Sequence, residues 1–82
     1  MATKFRKKPI VIEAWQHLKH PTFQPLWVFE NSSYDAPNKT LRITTPEGVL
    51  VANIGDWIIR GIKGEVYPCP LDVFEATYEA VE

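Results

Sequence analysis

The sequence predicts an α+β fold, a mainly antiparallel sheet of five or six strands or a small open barrel with one short helix packed on it. Three observations lead there. β-Branched and apolar residues alternate with period two from Pro9 to Gln16 and again from Thr40 onwards. Gly48, Gly55, Gly61 and Gly64 punctuate the later runs at hairpin spacing. Apolar residues at helical spacing are confined mainly to Phe23–Glu30. With 82 residues, 45% hydrophobic and 12% aromatic, the chain has the bulk for a core and the length for a single domain, 1–82. That composition argues against intrinsic disorder.

Taken in order, residues 9–16 read as a strand, with Ile10, Ile12 and Ala14 on one face and Val11, Glu13 and Trp15 on the other. Phe23, Leu26, Trp27 and Glu30 then suggest a helix of about two turns, capped by Thr22 with Pro25 in its first turn. Asn31 to Lys39 is turn chemistry and reads as an exposed loop. Thr40–Thr45 and Val49–Asn53 form a hairpin around Pro46-Glu47-Gly48, with Leu41 and Ile43 inward and Arg42 and Thr44 outward. Turns at Gly55-Asp56 and Gly61–Gly64 add strands at Trp57–Arg60 and Glu65–Cys69, so four strands run as a meander. Pro68 and Pro70 place the last of these at an edge or end it. Pro70–Glu75 forms one helical turn, and Ala76–Val81 alternates as a closing strand.

The net charge of −1 conceals an asymmetry. Lys4, Arg6, Lys7, Lys8 and Lys19 face a single acid, Glu13, in the first twenty residues, whereas Glu65, Asp72, Glu75, Glu79 and Glu82 have no cation beside them in the last eighteen. Complementary ends that lie side by side in one sheet, or meet across subunits, are favoured over a nucleic-acid arm, because no uniformly basic face accompanies the first segment. A homo-oligomer is expected on that ground, and because so short a chain buries little surface alone. No run approaches the roughly 18 apolar residues of a membrane span, so neither signal peptide nor anchor is expected.

One cysteine excludes an internal disulfide framework. Cys69 between prolines reads as a buried structural thiol, and His17 and His20 as a solvated pair with too few companions for a closed zinc site. Asp56 beside Gly55 reads as a turn residue. No acid–base pair or nucleophile stands out, so no catalytic residue and no cofactor is expected. Binding is better supported. In Arg60-Gly61-Ile62-Lys63-Gly64 the glycines let backbone amides approach an anion while Arg60 and Lys63 bring charge, although a plain hairpin turn explains the same letters and the spacing is no Walker or dinucleotide fingerprint. Trp57, Tyr67 and Trp15 offer rings on which a base stacks, or serve as core. The candidate ligand-binding set is therefore Arg60, Lys63, Trp57, Tyr67 and Trp15.

The run from Gly55 to Cys69, the unit Phe74-Glu75-Ala76-Thr77-Tyr78 and the opening Lys4–Ala14 resemble a group of small proteins encoded by tailed bacteriophages and prophages. The likeness covers a little over half of the chain and leaves 15–45 outside it. Where the group reads Cys-x-Pro-Asp before a short helix, this chain has Cys69-Pro70-Leu71-Asp72. The resemblance implies a phage accessory protein working in the bacterial host's cytoplasm. Joined to the aromatic and basic residues, it leads us to expect a non-catalytic protein that holds a small anionic, nucleotide-like ligand and sequesters a host antiviral signal. The alternative is a protein that modulates a host or virion protein through a sheet edge or the aromatic helix.

Overall fold

A computed structural model describes residues 3–4, 10–19 and 23–81. Along the chain lie β1 (Glu13–Gln16), α1 (Leu26–Phe29), β2 (Ser32–Asp35), β3 (Thr40–Thr45), β4 (Gly48–Ala52), β5 (Trp57–Arg60), β6 (Val66–Cys69) and α2 (Leu71–Thr77). The α+β class is as expected, but the strands divide into two three-stranded antiparallel sheets, ordered β1-β5-β6 and β2-β3-β4.

The β3–β4 hairpin follows directly from its letters. Leu41, Ile43 and Thr45 are buried while Arg42 and Thr44 are exposed, as period-two alternation demands. The Thr45 hydroxyl donates to Gly48 O at 2.8 Å and accepts from the Glu47 amide at 3.2 Å. Gly48 takes φ +117, a conformation that strains side-chain-bearing residues. Between the two sheets, Val28, Leu41, Ile43, Ala52, Ile58 and Val66 form the core, with Trp15 and Trp27 packed against it. Ile43, Ile58 and Val28 are fully buried, each stabilising the fold by about 1.5–3 kcal/mol.

Several expectations are corrected. The predicted meander breaks after β4. β4 and β5 belong to different sheets, and the turn between them docks on the end of β1: His17 N donates to Asp56 O at 2.9 Å and Gly55 N to His17 O at 2.6 Å. Strand β1 covers only Glu13–Gln16, not the whole of 9–16. The two-turn helix shrinks to the single turn α1, with Pro25 at its N-cap, because Asn31 and Ser32 close it: their side chains donate to Trp27 O and Val28 O, both at 2.7 Å. Thr22 lies outside the described residues. The supposed loop at 31–39 contains β2, whose ladder to β3 outweighs the weak strand propensity of Ser-Ser-Tyr-Asp.

At the other end α2 runs on to Thr77, and residues 78–81 form no strand. Residues 78–81 therefore do not supply the expected closing strand. Among the described residues the two ion pairs are Arg42–Asp35 (3.3 Å) and Arg60–Glu13 (3.6 Å), neither of which joins the ends. Arg6, Lys7 and Lys8 lie outside the described residues. β6 is an edge strand, as its prolines required.

Candidate ligand-binding site

Four of the five predicted residues, Trp15, Trp57, Arg60 and Tyr67, lie on both faces of the sheet β1-β5-β6, and Lys63 lies in the turn after β5. Register sets this: Trp57, Ile59, Tyr67 and Cys69 share the face toward α2 with Ala14 and Gln16, while Trp15, Ile58, Arg60 and Val66 share the face toward the core. Trp57 stacks on Phe74 at 4.2 Å between centroids and 21° between planes, and Phe74 lies 5.0 Å from Tyr78. Arg60, exposed at the end of β5, pairs with Glu13 across the ladder, and Lys63 is exposed in the turn that follows. A shallow hollow of about 420 Å³ borders this turn, lined by Arg60, Gly61, Gly64 and Glu13. The structure thus brings Trp57 and Tyr67 together at α2, sets Arg60 and Lys63 at the far end of β5, and leaves Trp15 lining a cavity that neither group lines.

Trp15 instead lines a cavity of about 300 Å³ together with His17, Lys19, Gln24, Ser32 and Tyr34. The indole N–H donates to Phe23 O at 2.6 Å, which holds the ring in place. Rings gather here: His17 lies 6.1 Å from Trp15 and 6.3 Å from Tyr34, the latter edge-on at 74°. Against expectation His17 is not solvated but 5% exposed, because it continues β1 and its backbone is clasped by Gly55 and Asp56. Its Nε2 lies 3.0 Å from Lys39 O. His20 lies outside the described residues. Lys19 is exposed and supplies a cation to the wall. Chemically, the cavity offers aromatic faces, one positive charge and hydrogen-bonding groups, which suits a small planar anion.

A larger groove of about 480 Å³ runs between residues 10–16 and α2. Its walls are apolar, its rings are Trp57, Phe74 and Tyr78, and its charged lining residues, Glu75 and Glu79, are both acidic, which disfavours an anion. Nearby, burial pushes the Tyr67 hydroxyl up to about 12, helped by its hydrogen bond to Tyr78 and the charges of Glu65 and Cys69. Burial likewise raises the Cys69 pKa, with Asp56 and Asp72 adding to the effect; the thiol is free and buried, as its sequence context indicated.

Sequence reasoning found Trp15 but missed His17, Tyr34 and Lys19. One signal was available for His17: alternation along Glu13, Trp15 and His17 puts all three on the core-facing side. Tyr34 carried none, since its segment read as a loop. Among the described residues no group of three His, Cys, Asp or Glu side chains is placed to hold a metal ion, and no helix is long and apolar enough to cross a membrane. No protein-family model, no curated protein and no solved structure matches the chain.

Proposed function

We propose that the protein is a non-catalytic binding module that holds a small, planar, anionic ligand of nucleotide type in the cavity beside Trp15. The observation that supports this is the meeting of Trp15, His17 and Tyr34 rings with Lys19 around about 300 Å³, the lower end of the size range of small-molecule pockets. Sequestration needs no reacting groups, only affinity, and the phage resemblance supplies a setting: removal of a host antiviral signalling nucleotide in the bacterial cytoplasm. Arg60 and Lys63 do not line this cavity and act, in this reading, only as positive charge outside it.

Thermal melting over a panel of mono- and cyclic nucleotides, with mass spectrometry of whatever is released on heating, tests the proposal. A binder at a hundredfold excess over its Kd stabilises the fold by about 2.7 kcal/mol, a rise of several degrees in Tm, and comes off chemically unchanged. A panel without any such rise, or a nucleotide returned as product, overturns it.

A specific feature favours a second reading, association with another protein. Val49 and Val51 on edge strand β4 are 62% and 53% exposed, and Leu26 and Phe29 of α1 are each 68% exposed. An apolar edge strand is a template for pairing. A second copy of this chain or a host protein is the partner in this reading. Light scattering at two concentrations, repeated with Val51→Lys, distinguishes self-association from a monomer.

A further inference from the structure

The His17 ring carries one unsatisfied hydrogen-bonding atom. Its backbone is held at both N and O by the Gly55-Asp56 turn, and its Nε2 lies 3.0 Å from Lys39 O. A carbonyl oxygen only accepts, so Nε2 carries a proton and donates, and in the neutral ring this leaves Nδ1 as a bare lone pair. Nδ1 exposes less than 1 Å² and has no hydrogen-bond partner among the described residues. Leaving a buried acceptor unpaired is costly, and such groups are rare enough in folded proteins to call for an explanation.

The ring that bears this atom lines the Trp15–Tyr34 cavity. We infer that His17 Nδ1 is the acceptor that reads a donor group on the ligand, so that the cavity selects a planar heterocycle presenting an N–H edge, the chemistry of a nucleobase amine or imide. This rests on the nucleotide reading above and adds to it the atom that confers base selectivity. The plane of the heterocycle is received by the Trp15 and Tyr34 rings, and Lys19 takes the negative charge of the phosphate. Nδ1 is covered at rest, so the donor reaches it only as the groups covering it shift on binding.

The test leaves the protein intact and alters the ligand. Titration calorimetry ranks AMP, GMP, CMP and UMP, and the tightest binder is compared with its analogue stripped of the donor: purine riboside 5′-monophosphate for AMP, N3-methyl-UMP for UMP, and correspondingly for the others. The natural nucleotide binds about tenfold tighter or better, as for loss of one hydrogen bond, and the nitrogen-15 resonance of His17 Nδ1 moves on saturation with it. Equal affinity within the pair, or an unmoved Nδ1 resonance, overturns this inference and leaves the function standing. Failure of all four to bind, together with a thermal panel of mono- and cyclic nucleotides that shows no rise in Tm, removes both. His17→Phe keeps a ring and loses the acceptor; where its circular dichroism is native it should abolish the preference within the pair.

Discussion

The carboxylate of Asp56 accepts the backbone amide of Leu71 at 3.3 Å, across fifteen positions of sequence. Pro70, at the N-cap of α2, makes no side-chain capping bond, so Asp56 serves as a cap borrowed from another turn. Its second oxygen accepts the Asn53 amide at 2.9 Å, which confirms Asp56 as a turn residue and extends its role to fastening a helix. Asp56→Ala should cost about 1–2 kcal/mol in urea unfolding and Asp56→Asn distinctly less. Equal midpoints for wild type and Asp56→Ala contradict the capping role.

The Trp57–Phe74 stack is the principal ring contact between α2 and the sheet. Phe74→Ala should destabilise by about 2 kcal/mol, a value below that of a fully buried phenylalanine because Phe74 is only half-buried. Near-ultraviolet circular dichroism should lose the Trp57 contribution in the same variant. A native spectrum with an unchanged melting curve disproves the attachment.

Two glycines in one turn should respond in opposite ways to crowding and to backbone geometry. At Gly64 an added Cβ meets nothing within 4 Å, yet φ is +83, so Gly64→Ala costs about 1–2 kcal/mol through the backbone alone. At Gly61 the added Cβ meets the carboxylate end of Glu65, a flexible group that swings away, and the change costs about 0.5 kcal/mol at most. Thermal unfolding of the two variants that ranks them the other way round refutes this account.

Stability should fall at both extremes of pH for identifiable reasons. The Tyr67 pKa is raised in the fold from 10.0 to about 12, so its contribution is complete below pH 10 and lost as pH climbs through 12. Tyr67→Phe should flatten that alkaline limb. Asp35 behaves with opposite sign: a hydrogen bond from the Asn38 side chain, then its backbone and the Arg42 charge, hold the carboxyl below 3.8. Its contribution is present above that value and disappears as acid protonates it, so Asp35→Asn should weaken the acid limb. Denaturant midpoints measured across pH check both, and identical limbs in the variants would exclude these two groups as the cause.

Cys69 should resist alkylation in the native protein. Burial disfavours its thiolate and the side chain is 7% exposed, so iodoacetamide reacts only through opening of the fold. Labelling at least about a hundredfold slower than in urea is expected. A native rate equal to the unfolded one shows an accessible thiol.

Much of this fold was legible in the letters, and the misses have physical causes. The hairpin from Thr40 to Ala52 was readable because both its alternation and its turn are local. The separation of β4 from β5 was not, since Asn53–Asp56 looks like any hairpin turn until its backbone is seen bonded to His17. A polar strand such as Ser32–Asp35 exists only because β3 offers it a ladder, and propensity is blind to that. The candidate rings were found singly but not grouped: Trp57 and Trp15 differ in face, which depends on register rather than on composition. His17 was misread because a histidine near a proline suggests solvent, whereas its place two residues after Trp15 on one strand face makes it interior.

Strand β1 has β5 as its ladder partner, and Trp15 faces Ile58 more than forty positions downstream, whereas β2, β3 and β4 pair only with neighbours in sequence. On a ribosome adding about 5–20 residues per second, the opening strand therefore waits on the order of seconds, unzipped, before its mate leaves the exit tunnel. Arrested nascent chains in which a flexible linker after Ala52 carries residues 1–52 clear of the tunnel should be clipped by protease near Trp15; protection there would show that another segment shelters the orphaned strand. The half-built product is most vulnerable to stray pairing during synthesis, before the last third of the chain has been delivered.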